Sequence, residues 1–138
     1  MTIEFARDLQ TDGLPLEEIQ KQTSRSRERI LSAPLLILLC LDMSDMDVYL
    51  DTKRKKAEYL MAVQSVANAG MQLLLAAHAE GLGGVWVCSP LFAQETIQEV
   101  LDLPKSWEPQ AMFFVGYPEV IPDARERKAL DEITRTIS

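Results

Sequence analysis

The chain has 138 residues, which is enough for one domain with a buried core and too short for two, so residues 1–138 are expected to form a single domain. With 47% hydrophobic and 25% charged residues the composition is that of a globular protein, which excludes a largely disordered chain. The formal net charge of −7 argues against nucleic acid as the main partner, because phosphate binding requires a basic face.

The sequence also limits the chemistry and the compartment. Cys40 and Cys88 each lie in an apolar run, which predicts two reduced, buried thiols in a cytoplasmic protein. The single His78 and the lack of a Cys/His/Asp spacing predict no metal site. No nucleophile–base set is visible, so no catalytic residue is assigned. The longest apolar run, Pro34–Leu41, is too short to cross a bilayer, and no membrane contact is expected.

The first quarter of the chain predicts two helices. Residues 1–10 are weakly helical, and Thr11-Asp12-Gly13 is typical of a turn. A second helix opens at Leu14-Pro15 and runs to about Ser32. Its middle carries three arginines that fit either a phosphate site or an exposed face with intrahelical pairs, and the exposed face is favoured: Arg25, Arg27 and Arg29.

A strand and a long helix follow. Residues 35–41, LLILLCL, predict a strand buried on both faces, although a short buried helix fits the same run. An acidic loop covers residues 43–52. The next helix, predicted from about Lys55 to Glu80, is apolar almost all round, which is typical of a helix buried on most sides.

This long helix also carries two finer patterns. Gln64, Asn68 and Gln72 are four residues apart and form an amide stripe on one face, directed either to solvent or to a partner. Small side chains along the helix permit close approach of another helix, as in a dimer core: Ala62, Ser65, Ala69, Ala76 and Ala77.

The remaining elements alternate between strand and helix, which predicts an α/β class. Gly81-Leu82-Gly83-Gly84 is predicted to be a helix-to-strand turn, since it follows a helix and lacks the order of a phosphate loop. Val85–Cys88 is predicted as a strand. Ser89-Pro90 then starts a helix over 91–101, which is expected to bury Phe92, Ile97, Val100 and Leu101. A third strand covers 111–115, and a polar tail follows Pro122.

Four segments in order give the sequence a family resemblance: QSVANAGMQLLLAAHAEGLGGVWVCSPLF, IQEVLDLP, WEPQAMFFVGYP, and a tail of the form P-x-x-R-x-R-K-x-L-D-E. Together they resemble the nitroreductase family, and more closely the reductase-like domain fused to deazaflavin-cofactor glutamate ligases. The resemblance covers about residues 7–132. It implies an α+β fold with three α/β/α layers.

The resemblance also implies a function and a site. Members of the family are homodimers that bind FMN between subunits and pass hydride by a ping-pong mechanism from NAD(P)H to a nitro, quinone or enone acceptor. The long helix around Ala62–Ala77 would form the dimer core. The flavin ring would be lined by Cys88, Ser89, Pro90 and Leu91, where Leu91 is able to donate a backbone N–H and Pro90 is not. Arg125 and Arg127 would contact the FMN phosphate.

The chain departs from the family at its beginning. An Arg-rich segment that holds the FMN phosphate, and a following segment that touches the flavin of the partner, have no counterpart in the sequence. The resemblance therefore implies an N-terminally shortened member with an incomplete FMN site, in which FMN is weakly bound or lost. A non-catalytic homodimeric remnant, or a flavin-binding module that acts only with a partner, remains as the alternative.

Overall fold

The computed structural model describes residues 2–137, and helices and strands alternate along them. The helices are α1 (Thr2–Thr11), α2 (Leu16–Ser32), α3 (Thr52–Ala79), α4 (Gln94–Val100) and the short α5 (Leu130–Ile133). The strands are β1 (Leu35–Asp42), β2 (Gly83–Val87) and β3 (Trp107–Gly116), and a 3₁₀ turn, Ser89–Phe92, links β2 to α4.

The three strands form one antiparallel sheet in the order β1-β3-β2. The central strand β3 pairs along its whole length with β1 and through its second half with β2. The register slips between Leu39 and Cys40, opposite Pro109. Proline has no N–H to give to the ladder, and a bulge is one of the few places where a sheet accepts it.

Alternate side chains of β3 face two different helical layers. Phe113 meets Gly70 of α3, and Ala111 and Val115 share its side of the pleat and are buried with it. On the other side Phe114 lines a groove under α2, and Met112 lies with α2 and α4. The predicted α+β architecture with three α/β/α layers is confirmed, and the sheet is antiparallel.

Two helices end in the same glycine cap. At the end of α1, Gly13 takes a φ of 77°, and at the end of α3, Gly81 takes a φ of 76°. In the second cap the N–H of Leu82 donates to the Ala77 carbonyl at 2.9 Å, and the N–H of Gly81 donates to His78 at 3.0 Å. Only glycine adopts this left-handed conformation without strain. The predicted turn at Gly13 is confirmed. The predicted turn over residues 81–84 is shorter than expected, since Gly83 and Gly84 already belong to β2.

The long helix begins slightly earlier than predicted. Its N-cap is Asp51, whose carboxylate accepts the backbone N–H of Arg54 at 2.9 Å. The carboxylate also pairs with the guanidinium of Arg54. The backbone hydrogen bond has the larger effect, and together the two hydrogen bonds hold the pKa of Asp51 below its ordinary value. Because the cap precedes them, the four basic residues 53–56, KRKK, lie at the start of the helix.

The prediction that α3 is buried on most sides is wrong for the single chain. One stripe of the helix, including Ala62 and Gly70, lies on the sheet. The opposite face is exposed and carries the amide stripe together with Met61, Met71 and Leu75, and we call it the outer face of α3. The small side chains divide accordingly: Ala62 and Ala77 lie towards the sheet, whereas Ser65, Ala69 and Ala76 are exposed.

Burial also differs from expectation in three other places. β1 is an edge strand, so its first residues, Leu35 and Leu36, remain exposed and only Leu41 is fully covered. The predicted helix 91–101 is split at Ala93 into the 3₁₀ turn and α4. As a result Ile97 is buried, as expected, but three residues predicted to be buried are exposed: Phe92, Val100 and Leu101. The predicted thiol burial holds in part for Cys40 and fails for Cys88.

Within the described residues one helix, α3, has the length and composition of a membrane-spanning helix. The shorter run Pro34–Leu41, considered for this role from the sequence, is strand β1 and its flank. Length and composition alone do not establish a span. One face of α3 packs on the sheet, and the rest of the helix is exposed in the single chain.

Candidate functional site

A cleft separates the α1–α2 hairpin from the end of β2 and the 3₁₀ turn. It consists of two adjoining cavities of about 350 and about 380 Å³. Phe5 of α1, Ser26 of α2 and Ser89 of the 3₁₀ turn line both of them. Volumes of this size are within the range of small-molecule sites.

The first cavity, which we call the acidic cavity, lies between α1 and the 3₁₀ turn. Glu4, Asp8 and Asp12 are four residues apart on α1 and lie along one wall. The rest of the lining is mostly apolar, with Leu9 and Phe92. The Glu4 carboxylate accepts a hydrogen bond from the Thr96 hydroxyl, which ties α1 to α4 across the cleft.

The second cavity, which we call the arginine groove, lies under α2. Its rim is one face of that helix, with Gln22, Arg25 and Arg29 at helical spacing, and its floor includes Phe114 and Val87 of the sheet. Glu18 stands at one end, where it accepts the side-chain amide of Gln22 at 3.2 Å and pairs with Lys21 at 3.8 Å. The side chains of Arg25 and Arg29 form no ion pair or hydrogen bond within the described residues.

Residues 88–91, which were predicted to line the flavin ring, lie at this cleft, but not all of them face it. Cys88 is exposed in the acidic cavity, and its sulfur accepts the indole N–H of Trp86 at 3.1 Å. Ser89 borders both cavities, whereas Pro90 is buried in the body of the protein. The N–H of Leu91 was predicted to be available as a donor. It instead donates to the Cys88 carbonyl at 3.1 Å inside the 3₁₀ turn, which corrects that prediction.

The predicted phosphate ligands lie elsewhere. Arg125 and Arg127 belong to an exposed, irregular segment between β3 and α5, and neither lines the acidic cavity or the arginine groove. The structure therefore does not bring them together with residues 88–91 in the single chain. Their assignment to the FMN phosphate stays a prediction.

Arg25 and Arg29, predicted to lie on an exposed face with a phosphate site as the alternative, line the cleft. The helical spacing contains the signal, because positions 25 and 29 share a face with Gln22 while position 27 does not. The sequence does not indicate, however, which face of α2 meets the end of β2. That depends on how the helical hairpin lies against the sheet.

The cleft suits an organic ligand better than a metal. Among residues 2–137 no group of three or more His, Cys, Asp or Glu side chains is arranged to hold a metal ion. For FMN the fit is partial: the aromatic and apolar walls suit a planar ring, and the free guanidinium groups suit an anion. The predicted arginine clamp on the tail is not part of the cleft.

The layered sheet, the long helix on one face and the cleft at the end of β2 define an α+β protein with a cleft of the size of a small-molecule site. The chain belongs to the nitroreductase family: the model of that family, described as "Nitroreductase family", matches residues 4–117. This confirms the family resemblance at the level of the family.

Solved structures show the same fold. The NfrA1 protein of B. megaterium is 19% identical, with a TM-score of 0.66, over 89% of this chain and 54% of its own. The NfrA1 nitroreductase of B. subtilis is 17% identical, with a TM-score of 0.62, over 78% and 47%. An FMN-dependent nitroreductase of Clostridium difficile is 21% identical, with a TM-score of 0.52, over 68% and 51%. The chain thus spans about half the length of the structures it matches.

Proposed function

We propose that the protein is an FMN-dependent NAD(P)H oxidoreductase that passes hydride to a nitro, quinone or enone acceptor by a ping-pong mechanism. Its place in the nitroreductase family supports this, and one structural neighbour is named as FMN-dependent. The observation that carries the proposal is the position of Ser89, a predicted flavin contact, at the junction of the acidic cavity and the arginine groove. When bound, FMN supplies the two-electron chemistry; the chain supplies the apolar walls and charged rims that orient its ligands.

The cofactor is the first part to test. The purified chain is mixed with FMN, desalted and examined for retained flavin absorbance, and NAD(P)H oxidation is then followed with a quinone or a nitroaromatic acceptor. Retained flavin and acceptor-dependent oxidation are expected. If neither occurs, the chain alone is not an oxidoreductase.

The tail arginines are tested separately. Arg127→Ala is expected to weaken FMN binding about tenfold, because a charge-assisted contact to the phosphate is lost. Arg135→Ala is the matched control, since Arg135 is also an exposed arginine of the tail. Unchanged FMN affinity in the Arg127 variant, or an equal loss in both variants, would rule out the phosphate assignment.

The second candidate is a flavin-binding module that works only with a partner, or a homodimeric remnant without catalysis. The observation that favours it is the position of Arg125 and Arg127 outside the cleft in the single chain. No flavin retention by the chain alone, with a stable dimer in solution, would favour this candidate.

We further propose that a second copy covers the outer face of α3. The face is largely apolar, and water-exposed surface of this kind is a common mark of a protein interface.

We place the protein in the cytoplasm, which agrees with the two free cysteines. Recovery in the soluble fraction after cell breakage is expected. Retention in the membrane fraction after alkaline washing would instead support α3 as a span.

Within the family we propose a position near the reductase-like domain fused to deazaflavin-cofactor glutamate ligases. The four quoted sequence segments are the support for this. Binding of the deazaflavin cofactor by the purified chain, measured beside FMN, tests it. Binding of FMN with no binding of the deazaflavin would place the chain elsewhere in the family.

A further inference from the structure

The arginine groove concentrates positive charge on a protein that is acidic overall. The formal net charge is −7, yet Arg25 and Arg29 stand side by side on the rim of the groove without a carboxylate partner among the described residues. Glu18, the one acid of the lining, already shares its charge with Lys21 and Gln22. Two such guanidinium groups four residues apart fit the oxygens of one carboxylate or phosphate.

The floor of the groove selects the rest of the ligand. Phe5 and Phe114 supply aromatic surface beneath the arginines, and the volume of about 380 Å³ holds a single ring with substituents. The three carboxylates of the adjoining acidic cavity repel an anion at the opposite end. A ligand with one anionic group is therefore oriented with its charge on the arginines and its other end towards Ser89.

We propose that the arginine groove binds a small aromatic anion, held through a carboxylate by Arg25 and Arg29, and that such anions are the acceptors that the site uses. The role as acceptor site rests on the proposed oxidoreductase function, whereas binding by the groove does not require flavin. Since the FMN phosphate is predicted to be held by the tail arginines, Arg125 and Arg127, the pair on the groove remains available for a substrate.

The test uses two isosteric probes on the flavin-free chain. Binding of 4-nitrobenzoate and of the neutral 4-nitrobenzamide is measured by equilibrium dialysis at low and high salt. The acid is expected to bind about tenfold more tightly than the amide at low salt, and this preference should shrink as salt screens the exposed arginines. The double variant Arg25→Gln/Arg29→Gln should abolish the preference.

Arg27→Gln is the matched control, because Arg27 is exposed on the same helix but does not line the groove. It should leave the preference unchanged, and Arg25→Lys/Arg29→Lys should retain part of it. Equal binding of both probes, no binding of either at low millimolar concentration, or an equal loss in the Arg27 variant would overturn the proposal. Circular dichroism spectra of the variants establish that they are folded.

A further measurement separates this proposal from the proposed function. FMN is added to the dialysis of 4-nitrobenzoate with the unaltered chain. If FMN displaces the acid in direct competition, the groove is the flavin phosphate site and the acceptor assignment is wrong. If FMN does not bind at all while the acid still binds selectively, the groove is an anion site and only the flavin function fails.

Discussion

Gly70 is a point of close approach between α3 and the sheet, and replacing it with alanine tests how the helix packs on the strands. A Cβ at this position would lie 2.6 Å from Cζ3 of Trp86 and 2.9 Å from Cζ of Phe113. The two rings meet edge to face with centroids 4.9 Å apart, and Phe113 is fully buried. Carbon atoms pack best at about 3.5–4.0 Å, so the new methyl group would overlap the rings by about 1 Å.

Two opposing terms set the expected result. Alanine is favoured over glycine in a helix interior by about 0.8–1.0 kcal/mol, whereas overpacking of a core costs about 1–3 kcal/mol. The overlap involves two rigid rings, which places the cost in the upper part of that range. Gly70→Ala should therefore lower the free energy of unfolding by about 1–2 kcal/mol, or the melting temperature by roughly 3–8 °C.

The assay is urea unfolding followed by far-UV circular dichroism at a fixed protein concentration, since assembly would make stability concentration-dependent. A double-mutant cycle with Trp86→Leu isolates the cause. Once the indole is removed, Gly70→Ala should become less destabilising by about 0.5–1 kcal/mol, because the overlap with Trp86 is gone while the overlap with Cζ of Phe113 at 2.9 Å remains. If Gly70→Ala stabilises the unaltered protein by that amount, α3 does not approach the sheet as closely as described.

Three further predictions concern caps, assembly and a tertiary hydrogen bond. Asp51→Ala should lower the melting temperature, whereas Asp51→Asn should largely preserve it, since both the acid and the amide cap helices. Because folding lowers the pKa of Asp51, the stability that Asp51 contributes is present above about pH 4 and is lost as pH falls through the folded pKa. The Asn variant should not show this loss. Leu75→Glu on the outer face of α3 should convert a dimer to monomer in light scattering, whereas the equally exposed Leu16→Glu on α2 should not; dimer retention in the first variant would place the interface elsewhere. The hydroxyl of Tyr59 donates a hydrogen bond to Glu108 at 2.9 Å, and this bond raises the pKa of Tyr59. The stability that the bond contributes should therefore be present below about pH 10 and be lost as pH rises through the folded pKa. Tyr59→Phe should remove that alkaline loss of stability, and an identical alkaline profile in this variant would show that the bond is absent in solution.

Local chemistry was enough to place most elements of the fold. The turn at Gly13 and the cap at Gly81 follow from glycine, because glycine takes a positive φ at the lowest cost. Pro34 and the run after it favoured a strand over a short buried helix, and the strand is confirmed as β1. The split of helix 91–101 at Ala93 was missed, since no glycine or proline marks it and the break depends on how the 3₁₀ turn packs on β3.

The candidate site, too, was predictable from the sequence only in part. Residues 88–91 were predicted as one flavin edge because of their sequence, yet the tertiary structure turns Ser89 towards the cleft and buries Pro90. Arg25 was judged part of a solvated face, and exposure alone supports that view. Arg25 lines the rim of the groove because α2 lies over the end of β2, and only the tertiary structure shows that position.

The residues by themselves indicated the order of most elements, because backbone preferences and apolar periodicity act within a few residues of each other, and the resemblance of four segments indicated the α+β class and the family. Only the tertiary structure decided which stripe of α3 meets the sheet, that the indole of Trp86 lies against Gly70, and that two arginines of α2 share a cleft with Ser89. These contacts join residues far apart in the chain. They depend on how the layers lie on one another, which no local pattern records.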